Sequence, residues 1–136
     1  MKIAILTSVF FQQVEEIHGQ DRIIFGGAER YLVELANFLR ADGHEITVYQ
    51  SMTGKEMITK EYQGIKIVCL PVQDTWELHV APNLCETFHE MSIAADLRIY
   101  FASFLAWPRV KGPCISINHG VFWDFPGHYP RTTYGQ

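Results

Sequence analysis

The chain has 136 residues, 48% of them apolar and 19% charged, enough for one domain with its own core, since domains cluster at roughly 100–150 residues. A formal charge of −4 excludes a duplex nucleic-acid binder, whose phosphate contacts need a basic face. Three cysteines (Cys69, Cys85, Cys114) with no close pair exclude a metal ribbon or a disulfide framework; they read as buried reduced thiols and place the protein in the cytoplasm.

In chain order, Lys2 to Phe10 opens with a continuous apolar run (Ile3, Ile5, Leu6, Val9), the pattern of a strand covered on both faces. The run is far shorter than the roughly 20 residues of a membrane span and no small-residue cleavage site follows, so no transmembrane segment is expected and only a peripheral membrane contact is left open. Phe11 to Phe25 lacks periodicity and reads as a long loop above this strand. A helix is expected from Ala28, with Leu32, Leu35, Ala36 and Leu39 on one face and Glu29, Arg30, Glu34, Asn37 and Arg40 on the other. Gly26-Gly27 precedes it, and Asp42-Gly43 supplies a left-handed stop. His44 to Ser51 is the second strand, which completes a βαβ unit.

Gly54 to Gly64 is polar and irregular. Ile65 to Leu70 is the third strand, stopped at Pro71. Asn83 is placed to cap a helix, with Glu86 three residues on and Leu84, Phe88 and Met91 along one face. Asp96 to Phe101 and Cys114 to Asn118 are the fourth and fifth strands, with a short helix or turn between them broken at Pro108. Strands alternating with helices define the class: α/β, a Rossmann-like doubly wound parallel sheet.

On a 3-2-1-4-5 order the carboxyl ends of strands one, four and five converge where ligands sit in such sheets. That brings Thr7-Ser8, Gly26, Gly27, Ser103 and His119 toward one crevice. A helix N-terminus opened by glycines exposes unpaired N–H groups to an anion such as phosphate; two glycines also serve simply to turn a loop into a helix. His119 has the chemistry to hydrogen-bond a sugar hydroxyl or shuttle a proton, or to bond the backbone at a strand end. His18, His44, His79, His89 and His128 lack metal-ligand spacing and read as structural, and no D-x-D triplet is present to clamp a metal-bound diphosphate. Trp123, Phe125 and Tyr129 around Asp124 suit stacking on an apolar ligand face or packing under a neighbouring domain. The G-x-G-x-x-G and G-x-x-x-x-G-K-[ST] loops are absent, against a nicotinamide enzyme or a P-loop NTPase.

Lys2-Ile3-Ala4-Ile5-Leu6, Phe25-Gly26-Gly27-Ala28-Glu29-Arg30-Tyr31-Leu32-Val33-Glu34-Leu35-Ala36, the Asp42-Gly43-His44 stop and Ile115-Ser116-Ile117-Asn118-His119-Gly120 together resemble the start of family 4 retaining glycosyltransferases, from residue 1 to about 120. The resemblance implies one half of a GT-B fold: residues 1–136 as the N-terminal, acceptor-side domain, without the C-terminal donor-binding domain. It implies transfer of a sugar from a nucleotide-sugar to a glycan or lipid acceptor, with retention and without metal or cofactor. Gly26 and Gly27 inherit contact with the donor diphosphate, His119 the catalytic contact near the reacting sugar, and Ser103, Trp123 and Asp124 are acceptor or sugar contacts. These residues alone are expected to be inactive. The competing reading is a stand-alone flavodoxin-like module that binds a small phosphate ligand in the same crevice.

Overall fold

The apolar run at the start of the chain forms a strand whose residues from Ile3 to Thr7 are all buried in this computed structural model. The structure describes residues 1–7, 11–14, 20–23, 27–53, 56–72 and 80–118. In chain order the elements are β1 (Lys2–Thr7), β2 (Phe11–Val14), β3 (Gln20–Ile23), α1 (Gly27–Ala41), β4 (Glu45–Thr53), β5 (Ile58–Tyr62), β6 (Ile65–Val72), α2 (Val80–Met91), β7 (Leu97–Tyr100), a 3₁₀ turn (Ser103–Ala106) and β8 (Cys114–Ser116). Six strands form one sheet in the order β5-β6-β4-β1-β7-β8. All neighbours are parallel except β5, which runs antiparallel to β6. Set β5 aside and the parallel strands run third, second, first, fourth, fifth, the expected doubly wound order.

Side chains alternate across a strand, so each strand feeds both faces of the sheet. One face gathers Ile3, Ile5, Ile46, Val48, Ile65, Ile67 and Ile99, and α1 covers it through Leu32 and Ala36. The other gathers Ala4, Leu6, Tyr49, Val68, Leu70 and Tyr100 beneath Leu84, Cys85 and Phe88 of α2. The predicted apolar stripe of α1 therefore faces the sheet. The helix ends in a Schellman motif: Gly43 takes φ +88°, its N–H donates to the Arg40 carbonyl (3.0 Å), and the His44 N–H donates to that of Leu39 (3.1 Å).

Several segments differ from expectation. The loop read over 11–25 contains an antiparallel pair, β2 with β3, registered from Phe11↔Ile23 to Val14↔Gln20. The polar 54–64 stretch contains β5, an edge strand that stays largely exposed and so has no reason to alternate in hydropathy. A two-residue turn joins it to β6, with positive φ at both Gln63 (49°) and Gly64 (77°), the geometry of a tight hairpin. The Arg40 guanidinium donates to the Gln63 carbonyl (2.8 Å) and tethers this turn to α1. Strand β6 continues through Pro71 to Val72, because β5 ends opposite Cys69 and leaves β4 as the single neighbour where a residue without an N–H is tolerated. Helix α2 begins at Val80, so Asn83 lies inside it rather than at its cap.

Among the described residues one cation lies in the interior. Arg98, 3% exposed, donates from Nε to Ser92 Oγ (3.0 Å) and from Nη2 to the Ser92 carbonyl (2.5 Å). Ser92 follows α2 directly and its hydroxyl donates to the Phe88 carbonyl (2.6 Å), so the guanidinium sits at the negative end of the helix dipole.

Leu32→Ala is expected to cost about 2–5 kcal/mol in urea denaturation, as for a fully buried leucine. Phe38→Ala on the same helix, at a side chain 70% exposed, should stay within about 0.5 kcal/mol.

Candidate functional site

The strand order reverses at β1: the chain moves to β4 on one side and later returns to β7 on the other. In doubly wound sheets the ligand crevice opens outside the carboxyl ends at that reversal. Here the parallel ladder runs one residue past β7 and β8, since the Phe101 N–H donates to the Leu6 carbonyl (2.8 Å) and the Ile117 N–H to the Tyr100 carbonyl (2.9 Å). On the face covered by α1 this rim carries buried Gln50, Thr7 and Phe101, with half-buried Ile117 beside them.

The second turn of α1 reaches this rim. Tyr31 stacks on Phe101 with ring centroids 5.6 Å apart and planes 25° apart, which ties the amino end of the helix to the carboxyl end of β7. Gly27 is the first residue of α1 and is exposed. A β-carbon there would meet nothing within 4 Å among the described residues, and Gly27 is not in the left-handed region. Among the described residues neither crowding nor backbone conformation requires glycine at 27. Glu29 lies in the same turn, complementary to the helix dipole.

Ser103 opens the 3₁₀ turn beyond β7 and is exposed; Asn118 is the exposed end of the described chain beyond β8. The structure therefore brings Gly27, Ser103 and the approach to His119 to one edge of the sheet. Gly26, His119, Trp123 and Asp124 lie outside the described residues. Sequence patterning does not single out Gln50, a wholly buried amide in β4 level with Thr7 at the end of β1; the available signal was a polar residue directly after the Ile46, Val48 and Tyr49 run.

Away from the rim, His18, His79 and His128 lie outside the described residues, and Cys114 is less buried than expected. His89 is buried on α2 and hydrogen-bonded to Tyr100, His44 pairs with Asp42 at 3.3 Å, and Cys69 and Cys85 are buried and Cys114 half-buried, none of the three in a disulfide. Among the described residues no group of three or more His, Cys, Asp or Glu side chains is placed to hold a metal ion, and no helix is long and apolar enough to cross a membrane.

A cavity of about 150 Å³ lies at the opposite edge, lined by Lys2, Glu45, Thr47 and Lys66 at the amino ends of β1, β4 and β6 and by Ser92 just after α2. It is a poor place for phosphate despite its lysines. Helix α2 ends there, and the Tyr49 hydroxyl donates to the Met91 carbonyl (3.3 Å), so the cavity meets the negative end of a helix.

The strand order, the helices on both faces and the helix terminus at the reversal define a Rossmann-like doubly wound α/β half. No family model matches the chain, and no curated protein does. Among solved structures the chain is similar to sucrose-phosphate synthase from Thermosynechococcus elongatus, a GT-B glycosyltransferase, with a TM-score of 0.58 and 14% identity. The match covers 88% of this chain and 33% of that one, so the chain spans about a third of the enzyme it resembles. At this identity the likeness is one of fold: that of a Rossmann-like GT-B half.

Phe101→Ala should cost about 3–5 kcal/mol, as for a buried phenylalanine. Tyr31→Ala, which loses the ring pair from a half-exposed position, should cost about 0.5–1.5 kcal/mol. Both should speed hydrogen exchange in the second turn of α1 more than in its last turn.

Proposed function

We propose that these residues form the acceptor-side half of a GT-B glycosyltransferase of the retaining, family 4 kind. The observation that carries the reading is Gly27: a glycine that none of the described residues around it requires, opening a helix whose amino end is fastened to the carboxyl rim at the strand reversal. A glycine there leaves the first N–H groups of α1 open to close approach by a diphosphate. The family resemblance of the Phe25 to Ala36 block and the fold likeness to sucrose-phosphate synthase support the same assignment.

On this reading the donor is a nucleotide-sugar and the acceptor a glycan or a lipid. The Gly26-Gly27 turn meets the donor diphosphate, and the helix dipole stabilises the charge that develops as the diphosphate leaves, without metal or cofactor. His119 contacts the donor sugar near the breaking bond. Ser103, Trp123 and Asp124 meet the acceptor or the sugar. The reaction takes place between two such halves, so transfer requires a donor-binding half in addition to these residues.

The test is a transfer assay on the 136-residue chain alone and together with a donor-binding half, with Gly27→Ala in both. We expect no transfer from the chain alone. With the donor half, Gly27→Ala should lower kcat/KM by about tenfold or more, within the range for loss of a preorganised anion contact, while folding stability is unchanged or higher. Unchanged kcat/KM in Gly27→Ala would remove the diphosphate role. Tight binding of inorganic phosphate by the chain alone, with no transfer in any combination, would favour the phosphate-binding module instead.

A further inference from the structure

Beneath the connector from Trp107 to Pro113 lies a buried polar cluster that the proposed reaction does not use. The Lys111 N–H donates to the Tyr100 hydroxyl (2.8 Å), and the same hydroxyl lies 2.6 Å from His89 Nε2. The Cys85 thiol, one helical turn before His89, donates to the Arg109 carbonyl (3.3 Å) with its sulfur 3.6 Å from His89 Nε2. Outside, the Arg109 guanidinium forms a two-pronged ion pair with Glu86 at 2.9 and 2.8 Å. Tyr100 and Cys85 are fully buried, His89 is 4% exposed, and the His89 and Tyr100 rings meet edge-on at 6.0 Å. Helix α2 thus grips the connector at Arg109 and, through His89 and Tyr100 of β7, at Lys111, five and three residues before β8 begins.

The protons in this cluster follow from its donors. A backbone N–H can only donate, so the Tyr100 oxygen accepts from Lys111; the buried phenolic hydrogen still needs an acceptor, and among the described residues His89 Nε2 is the one in reach. His89 Nε2 must then be bare, with the ring proton on Nδ1. A second proton would make both partners donors along the same 2.6 Å line, turn the hydroxyl away and bury a cation. We infer that His89 and Tyr100 are positioning residues for the β7–β8 connector: a bare His89 Nε2 that accepts the Tyr100 hydroxyl keeps the connector and β8 seated, and protonation of His89 unfastens them. The fastening stands on this geometry alone; its bearing on sugar transfer rests on the reading above, because β8 leads through Asn118 toward His119.

The surroundings favour the neutral ring. Burial lowers the pKa of His89, and Arg98 from β7 with Lys111 and Arg109 from the connector lower it further; Glu86 on α2 opposes them. Burial also raises the Tyr100 and Cys85 pKa values, so both facing groups stay protonated, and Cys114 of β8 adds a further upward influence on Tyr100. With a folded-state pKa below the unfolded value near 6.5, His89 contributes stability that is present above about pH 6.5 and is lost as pH falls through its folded-state pKa.

Nuclear magnetic resonance on the whole chain tests this, with no nucleotide or sugar present. The ¹⁵N shifts of His89 should report a proton on Nδ1 at about pH 7.5. The protection factor of the Lys111 amide, corrected for intrinsic exchange, should fall about tenfold or more between about pH 7 and pH 5. His89→Gln offers a non-titrating acceptor to the Tyr100 hydroxyl and should keep that protection flat over the same range. Tyr100→Phe keeps the ring and should lose the protection at every pH. A proton on Nε2 at neutral pH, pH-independent Lys111 protection in the unaltered chain, or an unchanged pH dependence in His89→Gln overturns the proposal.

Discussion

Strand β1 has a parallel neighbour on each side, and the rest of the molecule is organised around that fact. A strand in this position can expose no polar side chain on either face, which is why Ile3, Ala4, Ile5 and Leu6 run without interruption. With β1 central, the chain must leave it in one direction and return in the other, placing one helix on each face. The same reversal leaves a gap outside the carboxyl ends of β1 and β7, and the stack of Tyr31 on Phe101 delivers the amino end of α1 to it. The candidate site is thus a consequence of the order of strands more than of any single side chain.

The two faces are unlike in chemistry. Beneath α1 the sheet is aliphatic to its rim, where Thr7 and Gln50 introduce buried polar groups beside Phe101. Beneath α2 it carries aromatic and titratable groups: Tyr49, Phe88, His89, Tyr100, Cys85 and, near the helix end, Arg98. Each of these polar groups has a partner, as burial demands. The α1 face therefore ends in a helix terminus at the carboxyl rim, while the α2 face spends its polar groups on holding the connector and the helix end.

Much of this architecture is legible in the residues. Continuous apolarity in β1 and β6, the 3.6-residue period of α1 and the Asp42-Gly43 stop identify the strands and the helix, because each reflects a burial or backbone constraint that acts locally. The hairpins are not legible in the same way. Strand β5 is an exposed edge, so Thr59, Lys60 and Glu61 need no alternation, and its pairing with β6 is set by the Gln63-Gly64 turn. The polar interior is equally hidden: His89, Tyr100 and Ser92 with Arg98 are joined only when α2 lies across β7, contacts that no periodicity encodes. Of the site, the carboxyl rim and the place of Gly27 and Ser103 follow from strand order. Gln50 is not singled out because burial of its amide depends on neighbours from two other strands, Thr7 and Cys69.

The direct test of a diphosphate-binding rim at the strand reversal is an amide shift map of the ¹⁵N-labelled chain titrated with pyrophosphate. The account predicts that the largest perturbations fall on Gly27 to Tyr31, with smaller ones on Ser103 and Asn118. Perturbations confined to Lys2, Glu45 and Lys66 at the opposite edge, or none at millimolar pyrophosphate, would contradict it.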